Sequence, residues 1–201
     1  MFGFQHSLNA QTTINTFNAG KILLSGERIA GNFGELRGNH FHSGIDYKTN
    51  ETEGWPVLAA DNGYISRVKV SASGYGKVIY ITHSSGVVTV YGHLRAFYPA
   101  ITDSVESIQL ATKQFELEFF PDSSRFKVNA GQLIGFSGSS GSAEGPHVHF
   151  ETRNRDSEKP INPEIMGYPI DDTIPPVLKA LVIYHPGLLM EYLDLNDNSL
   201  K

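Results

Sequence analysis

Apolar and polar residues alternate along much of this chain in short runs broken by turn residues. In Val87 to Leu94, Val88 and Val90 fall on one face and Thr89, Tyr91 and His93 on the other, the two-residue period of a strand. Phe115-Glu116-Leu117-Glu118-Phe119 alternates strictly, which predicts a strand with its three apolar residues on one face. Strand-type residues also fill Lys21 to Gly26, Pro56 to Ala60, Tyr64 to Val70, Lys77 to Thr82, Phe126 to Val128 and Gln132 to Gly135. Between them stand Asp61-Asn62-Gly63, Ser71 to Gly76, Ser84-Ser85-Gly86 and Pro121 to Ser124, all turn chemistry. Short strands at this spacing predict a mainly β, antiparallel sheet or barrel. One stretch breaks the rhythm: Asp103 reads as an N-cap, and Ser104 to Gln114 carries Val105, Ile108 and Ala111 at helical spacing, a short helical insertion.

The ends read differently. Residues 1–23 form a polar N-terminal extension, 24–166 the folded domain, and 167–201 a linker around Pro169 to Pro176 followed by a strand, Val177 to Tyr184, with nothing left in the chain to pair with. That strand reads as the start of a second domain cut off at Lys201.

Two histidine clusters carry the candidate chemistry. Gly145-Pro146-His147-Val148-His149-Phe150-Glu151 is a strand in which His147 and His149 share a face, about 6.6–6.8 Å apart along the backbone, while Val148 and Phe150 point to the core. It follows a Gly/Ser-rich loop, Gly135 to Ser142, where sites tend to be built. Far upstream lies His40-Phe41-His42-Ser43-Gly44-Ile45-Asp46. A histidine and a carboxylate four residues apart offer the nitrogen and oxygen donors that zinc accepts, and three protein ligands with one open position is the pattern of a catalytic zinc.

Composition narrows the alternatives. Hydrophobic residues at 40% and charged residues at 18% suit a soluble globular protein. The net charge of −5 argues against a general nucleic-acid binder. With no cysteine, disulfides, a thiolate zinc site and a cysteine nucleophile are all excluded. Met1 to Gly20 holds no apolar run long enough for a signal-peptide core, and no stretch reaches the length of a membrane span. Gly138-Ser139-Ser140-Gly141 does not fit a nucleophile elbow, and neither a Walker A lysine nor an H-E-x-x-H helix is present.

Taken together, H-S-G-I-D at His42 to Asp46, Y-G-H-L at Tyr91 to Leu94, G-Q-L-I-G at Gly131 to Gly135 and G-P-H-V-H-F-E at Gly145 to Glu151 resemble the lysostaphin/LytM-type zinc metallopeptidases. The blocks occur in that family's order and cover about Gly31 to Pro163. The resemblance implies a mainly antiparallel, open β-sandwich fold with a groove (duplicated hybrid motif-like), a Zn2+ cofactor, and hydrolysis of peptide bonds in bacterial peptidoglycan in the cell envelope, after export. It makes His42, Asp46 and His149 the metal ligands and His93 and His147 the two non-ligand catalytic histidines. His40 is expected to flank the ligands, and Arg37 either contacts substrate or is structural. His6, His83 and His185 stand in no motif and are expected at the surface. The connection from Arg95 to Ala130 is longer than in the simplest members and is expected to change the groove. A catalytically silent module that binds wall peptides or activates another hydrolase is the alternative, and a lipoyl-type carrier a weaker one.

Overall fold

The computed structural model describes residues 17–24, 28–38, 40–168, 180–183, 191–194 and 199–200. Two compact units divide the chain, residues 1–170 and 171–201. In the first, the strands are β1 (Ile29–Gly31), β2 (Ile45–Lys48), β3 (Pro56–Leu58), β4 (Gly63–Val70), β5 (Lys77–His83), β6 (Val87–Gly92), β7 (Ala96–Phe97), β8 (Leu117–Phe119), β9 (Lys127–Val128), β10 (Leu133–Phe136), β11 (His147–Asn154) and β12 (Pro160–Ile161). The single helix of the described residues longer than one turn is α1 (Pro99–Thr112).

The strands form a large antiparallel sheet in the order β1-β2-β11-β6-β5-β4-β8, with β12 beside β11 and β9 beside β4, and a small sheet β3-β10-β7. This is the mainly β, antiparallel fold expected from the alternation. One core lies between the sheets: Ile45, Tyr47, Ile65, Ile79, Tyr91, Val148 and Phe150 come from the large sheet, and Val57, Phe97 and Ile134 from the small one. Val78, Tyr80 and Val90 form a second cluster, on side chains that alternate with the core set. As the period predicted, Tyr91 and Val90 therefore part to opposite faces.

Several expectations are corrected. α1 begins at Pro99, not after Asp103, because Tyr98 is extended (φ −58°, ψ 145°) and Pro99 already has the φ of a first helical turn. Its buried residues are Ile101, Ser104 and Val105, so the second half, with Ala111, projects from the core. Phe115 lies outside β8 and is 62% exposed, leaving only Leu117 and Phe119 packed inward. Lys21 to Leu24 makes a single bridge, Leu23 to Val57, in place of a strand. In the second unit, Ala180–Ile183 does have partners: it pairs with Glu191–Asp194, which pairs in turn with Ser199–Leu200. The proposed linker, most of the N-terminal extension, His6 and His185 lie outside the described residues.

His83 is not at the surface. It is 2% exposed, its Nδ1 donates to Asn62 O at 2.9 Å, and its Nε2 meets Thr89 Oγ1 at 2.8 Å. The sequence signal was its place at the end of a strand buried on both faces. Burial lowers its pKa, only partly opposed by Asn62 O and Asp61. A folded-state pKa below the unfolded value means that the folded chain binds fewer protons, so this contribution is complete above about pH 6.5 and is lost as pH falls. Stability measured by denaturant titration should therefore drop between pH 7 and pH 5. The drop should be shallower in His83→Asn, which has no proton to gain; an identical slope would show that His83 does not carry it.

Candidate functional site

β11 lies between β2 and β6, with His149 opposite Asp46 on one side and Gly92 on the other. This antiparallel register, together with the H-S-G-I-D segment, brings residues 107 positions apart into contact. His42 Nε2 is 2.9 Å from His149 Nδ1 and 3.1 Å from Asp46 Oδ1, and His149 Nδ1 is 2.9 Å from the same oxygen. All three residues are buried, at 4–6% exposure. The glycine in the first motif makes this approach sterically feasible: a Cβ on Gly44 would lie 2.2 Å from Phe150 O.

The outer nitrogens of both rings are already committed. His42 Nδ1 donates to Asn32 O at 2.8 Å, and His149 Nε2 donates to Glu151 Oε1 at 2.7 Å. Each ring is thereby left with a lone pair facing the triangle. Two nitrogen lone pairs and a carboxylate oxygen in mutual contact repel one another unless a cation or proton lies among them. Four ligands at zinc distances stand about 3.3 Å apart, so a triangle of this size and donor set fits a tetrahedral divalent ion with one position left for water or substrate. His42, Asp46 and His149 thus form a group able to hold a metal ion.

Around the triangle the charges alternate. Asp46 Oδ2 accepts from Arg37 Nη2 at 2.9 Å, and the same nitrogen reaches Glu35 Oε2 at 3.0 Å. Burial opposes ionisation of Asp46, but where a proton on His149 or His42 takes the place of the cation, its hydrogen bond holds the carboxyl far below the usual range. Burial likewise opposes charge on His149, and is outweighed by Asp46 and Glu151, which raise its pKa to about 9. Behind it, Glu151 is fully buried and accepts from Ser43 Oγ, Tyr75 Oη and His149 Nε2 on one oxygen and from Arg153 Nε on the other. These donors overcome burial and lower Glu151 to about 2. The Tyr75 ring stacks on His149, centroids 5.0 Å apart at 25°, and burial with the Glu151 charge raises its hydroxyl to about 12.

His147 sits one rung along the same face of β11, with Nε2 3.6 Å from Asp46 Oδ1 and Nδ1 donating to Gly145 O at 2.8 Å. His93 does not continue the face of Tyr91. It leaves β6 with φ +58°, an uncommon left-handed conformation for a residue other than glycine, and its ring packs 4.7 Å from that of His147. His93 Nδ1 donates to Ser140 O at 2.8 Å, and burial, reinforced by His147 and His149, lowers its pKa to about 4. Ser140 itself is placed by close backbone contact with the Tyr75 loop. A Cβ on Gly76 (φ +63°) would lie 2.4 Å from Ser140, and one on Gly141 (φ +73°) would lie 2.3 Å from Gly74 O.

All five expected site residues therefore converge on one groove of about 1000 Å³. His40 lines it, exposed, as the flanking residue expected. Arg37 lines it too and holds the outer oxygen of Asp46. Two participants were missed. Tyr75, taken as part of a turn, had only its flanking glycines as a signal. Glu151 follows His147 and His149 at the same two-residue period, so its face was legible. The connection from Arg95 to Ala130, expected to alter the groove, supplies none of its lining residues.

Known proteins similar to this chain include peptidases. The DD-carboxypeptidase/endopeptidase Mpg of Neisseria meningitidis serogroup B is 34% identical over 128 residues, 64% of this chain but 23% of that protein. This chain thus spans about a quarter of the length of such relatives. Csd3 of Helicobacter pylori is 30% identical, with a TM-score of 0.52 over 76% of this chain and 33% of its own. The catalytic domain of the prophage-encoded M23 protein EnpA from Enterococcus faecalis is 27% identical, with a TM-score of 0.51 over 69% of this chain and 90% of its own. The sequence pattern of peptidase family M23 matches residues 40–111 and 123–163, skipping only the stretch that runs from the last residue of α1 past β8. More than half of the chain, including all four motif blocks, thus follows one pattern, and by that measure the chain belongs to peptidase family M23.

Proposed function

We propose that this chain is a zinc-dependent endopeptidase that hydrolyses peptide bonds of bacterial peptidoglycan in the cell envelope. The observation that carries this reading is the buried triangle of His42 Nε2, Asp46 Oδ1 and His149 Nδ1, whose inward atoms include no hydrogen-bond donor when both rings are neutral. The peptidoglycan substrate follows from the likeness of the four blocks to lysostaphin/LytM-type enzymes.

His42, Asp46 and His149 would hold the zinc, which supplies Lewis acidity toward a carbonyl and toward water. Arg37 fixes the second oxygen of Asp46, leaving Oδ1 as the inward donor. Glu151 fixes Nε2–H of His149 and so directs the Nδ1 lone pair inward, the service that outer partners give ligand histidines. Beside the triangle, the Nδ1 hydrogens of His93 and His147 are tied to carbonyls, which leaves each Nε2 as a proton acceptor. His93, neutral above about pH 4, is available as an acceptor at neutral pH. A proton taken from the attacking water at Nε2 of one histidine is passed to the leaving amine nitrogen as the peptide bond breaks.

Purified protein should bind about one zinc per chain, by the donor count of a catalytic site. His149→Ala should abolish this binding, and full occupancy in that variant would remove His149 from the ligand set. His147→Ala should keep zinc while losing hydrolysis of purified peptidoglycan by about 10²–10⁴-fold. Mass analysis of the released fragments would identify the bond cut. Zinc uptake without any hydrolysis by the unaltered chain would favour the silent binding module.

Glu151→Gln tests the positioning of His149. Zinc affinity measured by competition with a chelator should fall about 10–100-fold. The protein should also lose about 3 kcal/mol of stability, because Arg153 is left without its buried carboxylate. A variant that loses stability but binds zinc as tightly as before would make Glu151 structural only.

A further inference from the structure

The pairing of β2 with β11 places four side chains at the corners of a rectangle. Asp46 is opposite His149, and two residues on, Lys48 is opposite His147. Side chains facing each other across antiparallel strands have Cβ atoms about 4.5–5.5 Å apart, and successive rungs on one face are about 6.6–6.8 Å apart. Three of these corners already belong to the site. Lys48 is the fourth.

Its presence there is not explained by the fold. Lysine is disfavoured in strands, and one common reason for tolerating it, protection of an exposed sheet edge, does not apply because β1 covers the other side of β2. Lys48 is exposed and lines the groove. Among the described residues no carboxylate lies within ion-pairing distance of its ammonium, and it makes no side-chain hydrogen bond. Glu51 and Glu144 line the same groove without pairing to it. The other strong cation there, Arg37, is already held by Asp46 and Glu35. Lys48 therefore presents an unneutralised positive charge, with three donors and no acceptor, one rung from the metal-binding rung.

We propose that Lys48 is a specificity residue whose ammonium binds a carboxylate of the substrate peptide, one or two residues from the bond that is cut. The reach follows from the ladder, since an extended peptide advances about 3.3–3.6 Å per residue and one rung therefore corresponds to about two residues. This inference rests on the hydrolytic reading of the site. The carboxylate can come from the C-terminus of a peptide or from an internal residue that keeps a free carboxyl, and the two sources are separable.

The test uses the full zinc-loaded chain and three synthetic stem peptides: one with both carboxylates free, one amidated at the C-terminus, and one amidated at the internal carboxyl. kcat/KM is measured for the unaltered protein, Lys48→Met and Lys48→Glu. Equilibrium binding of the same peptides is measured with and without Lys48→Met in a His93→Ala background, which reads preference without turnover. The unaltered protein should favour the free acid by roughly fivefold over one of the two amides, the size of a partly exposed ion pair. Which amide suffers identifies the carboxylate recognised. Lys48→Met should erase the preference, mainly through KM, and Lys48→Glu should reverse it. An acid-to-amide ratio that Lys48→Met leaves unchanged in both turnover and binding overturns the role of Lys48 while hydrolysis stands. A preference seen in binding but with no hydrolysis of any peptide supports Lys48 and removes the hydrolytic reading instead.

Discussion

The close passage of the H-S-G-I-D segment over β11 is the contact on which the site depends. Only a residue without a Cβ can occupy position 44, where any substituent would meet the carbonyl of Phe150 and the side chain of Glu151. Immediately afterwards Ile45 pairs with Phe150 and Asp46 with His149. A side chain at 44 would push β2 outward and widen the triangle at its Asp46 corner. Because the period of a strand is two, a register slip of one residue would be worse still, turning Asp46 and Lys48 into the core and exposing Ile45 and Tyr47. Core packing and site assembly thus enforce the same alignment: Val148 and Phe150 are fully buried behind the sheet while His147 and His149 stand in front of it.

Burying so many ionisable groups is tolerable only because they are paired in sequence. Arg37, Asp46, the histidine pair, Glu151 and Arg153 run from plus to minus to plus through the protein, with hydrogen bonds at each junction. A buried network of this kind is costly when any member lacks its partner. The two carboxylates bracket His149, so the chain favours positive charge at that ring, which is the electrostatic condition for retaining a cation among its neighbours. Tyr75 adds an apolar ring face over the same imidazole and a hydroxyl to Glu151, restricting rotation from both directions.

Alternation made most of the large sheet legible, since successive side chains part between the main core on one face and the small Val78, Tyr80, Val90 cluster and the site on the other. That His42, Asp46 and His149 could form a group able to hold a metal ion was legible from the motifs, because such a group requires particular donors at particular spacings. Failures cluster where backbone geometry departs from the regular period. His93 was assigned to the face of Tyr91, but a left-handed turn rotates it out of the strand and onto Ser140. Phe115 satisfied the alternation and still lies outside the strand, because β8 pairs with β4 only from Leu117 onward. The histidine at 83 was placed at the surface for want of a motif, whereas a carbonyl and a hydroxyl that are distant in sequence or across the hairpin satisfy it in the interior. Such partners have no local signature.

The location of the added chain bears on specificity. Residues 96–130, including α1 and β8, pack against the small sheet and the β4 edge, and the groove is lined instead from the segments around β2, the Tyr75 loop and the Gly/Ser-rich loop before β11. Extra length there can change how the domain presents itself to a neighbour without moving an atom of the site. On the proposed reading, discrimination among peptides then falls to the lining residues outside the metal-holding group and its two neighbouring histidines. On a surface where Asp46, Arg37, His42 and His149 are already neutralised against one another, the charges at Lys48, Glu51 and Glu144, unpaired among the described residues, set the field that an arriving peptide would meet. Of these, Lys48 alone shares a rung with His147, next to the rung of Asp46 and His149, so on the proposed reading its influence reaches a bound peptide close to the metal-holding group.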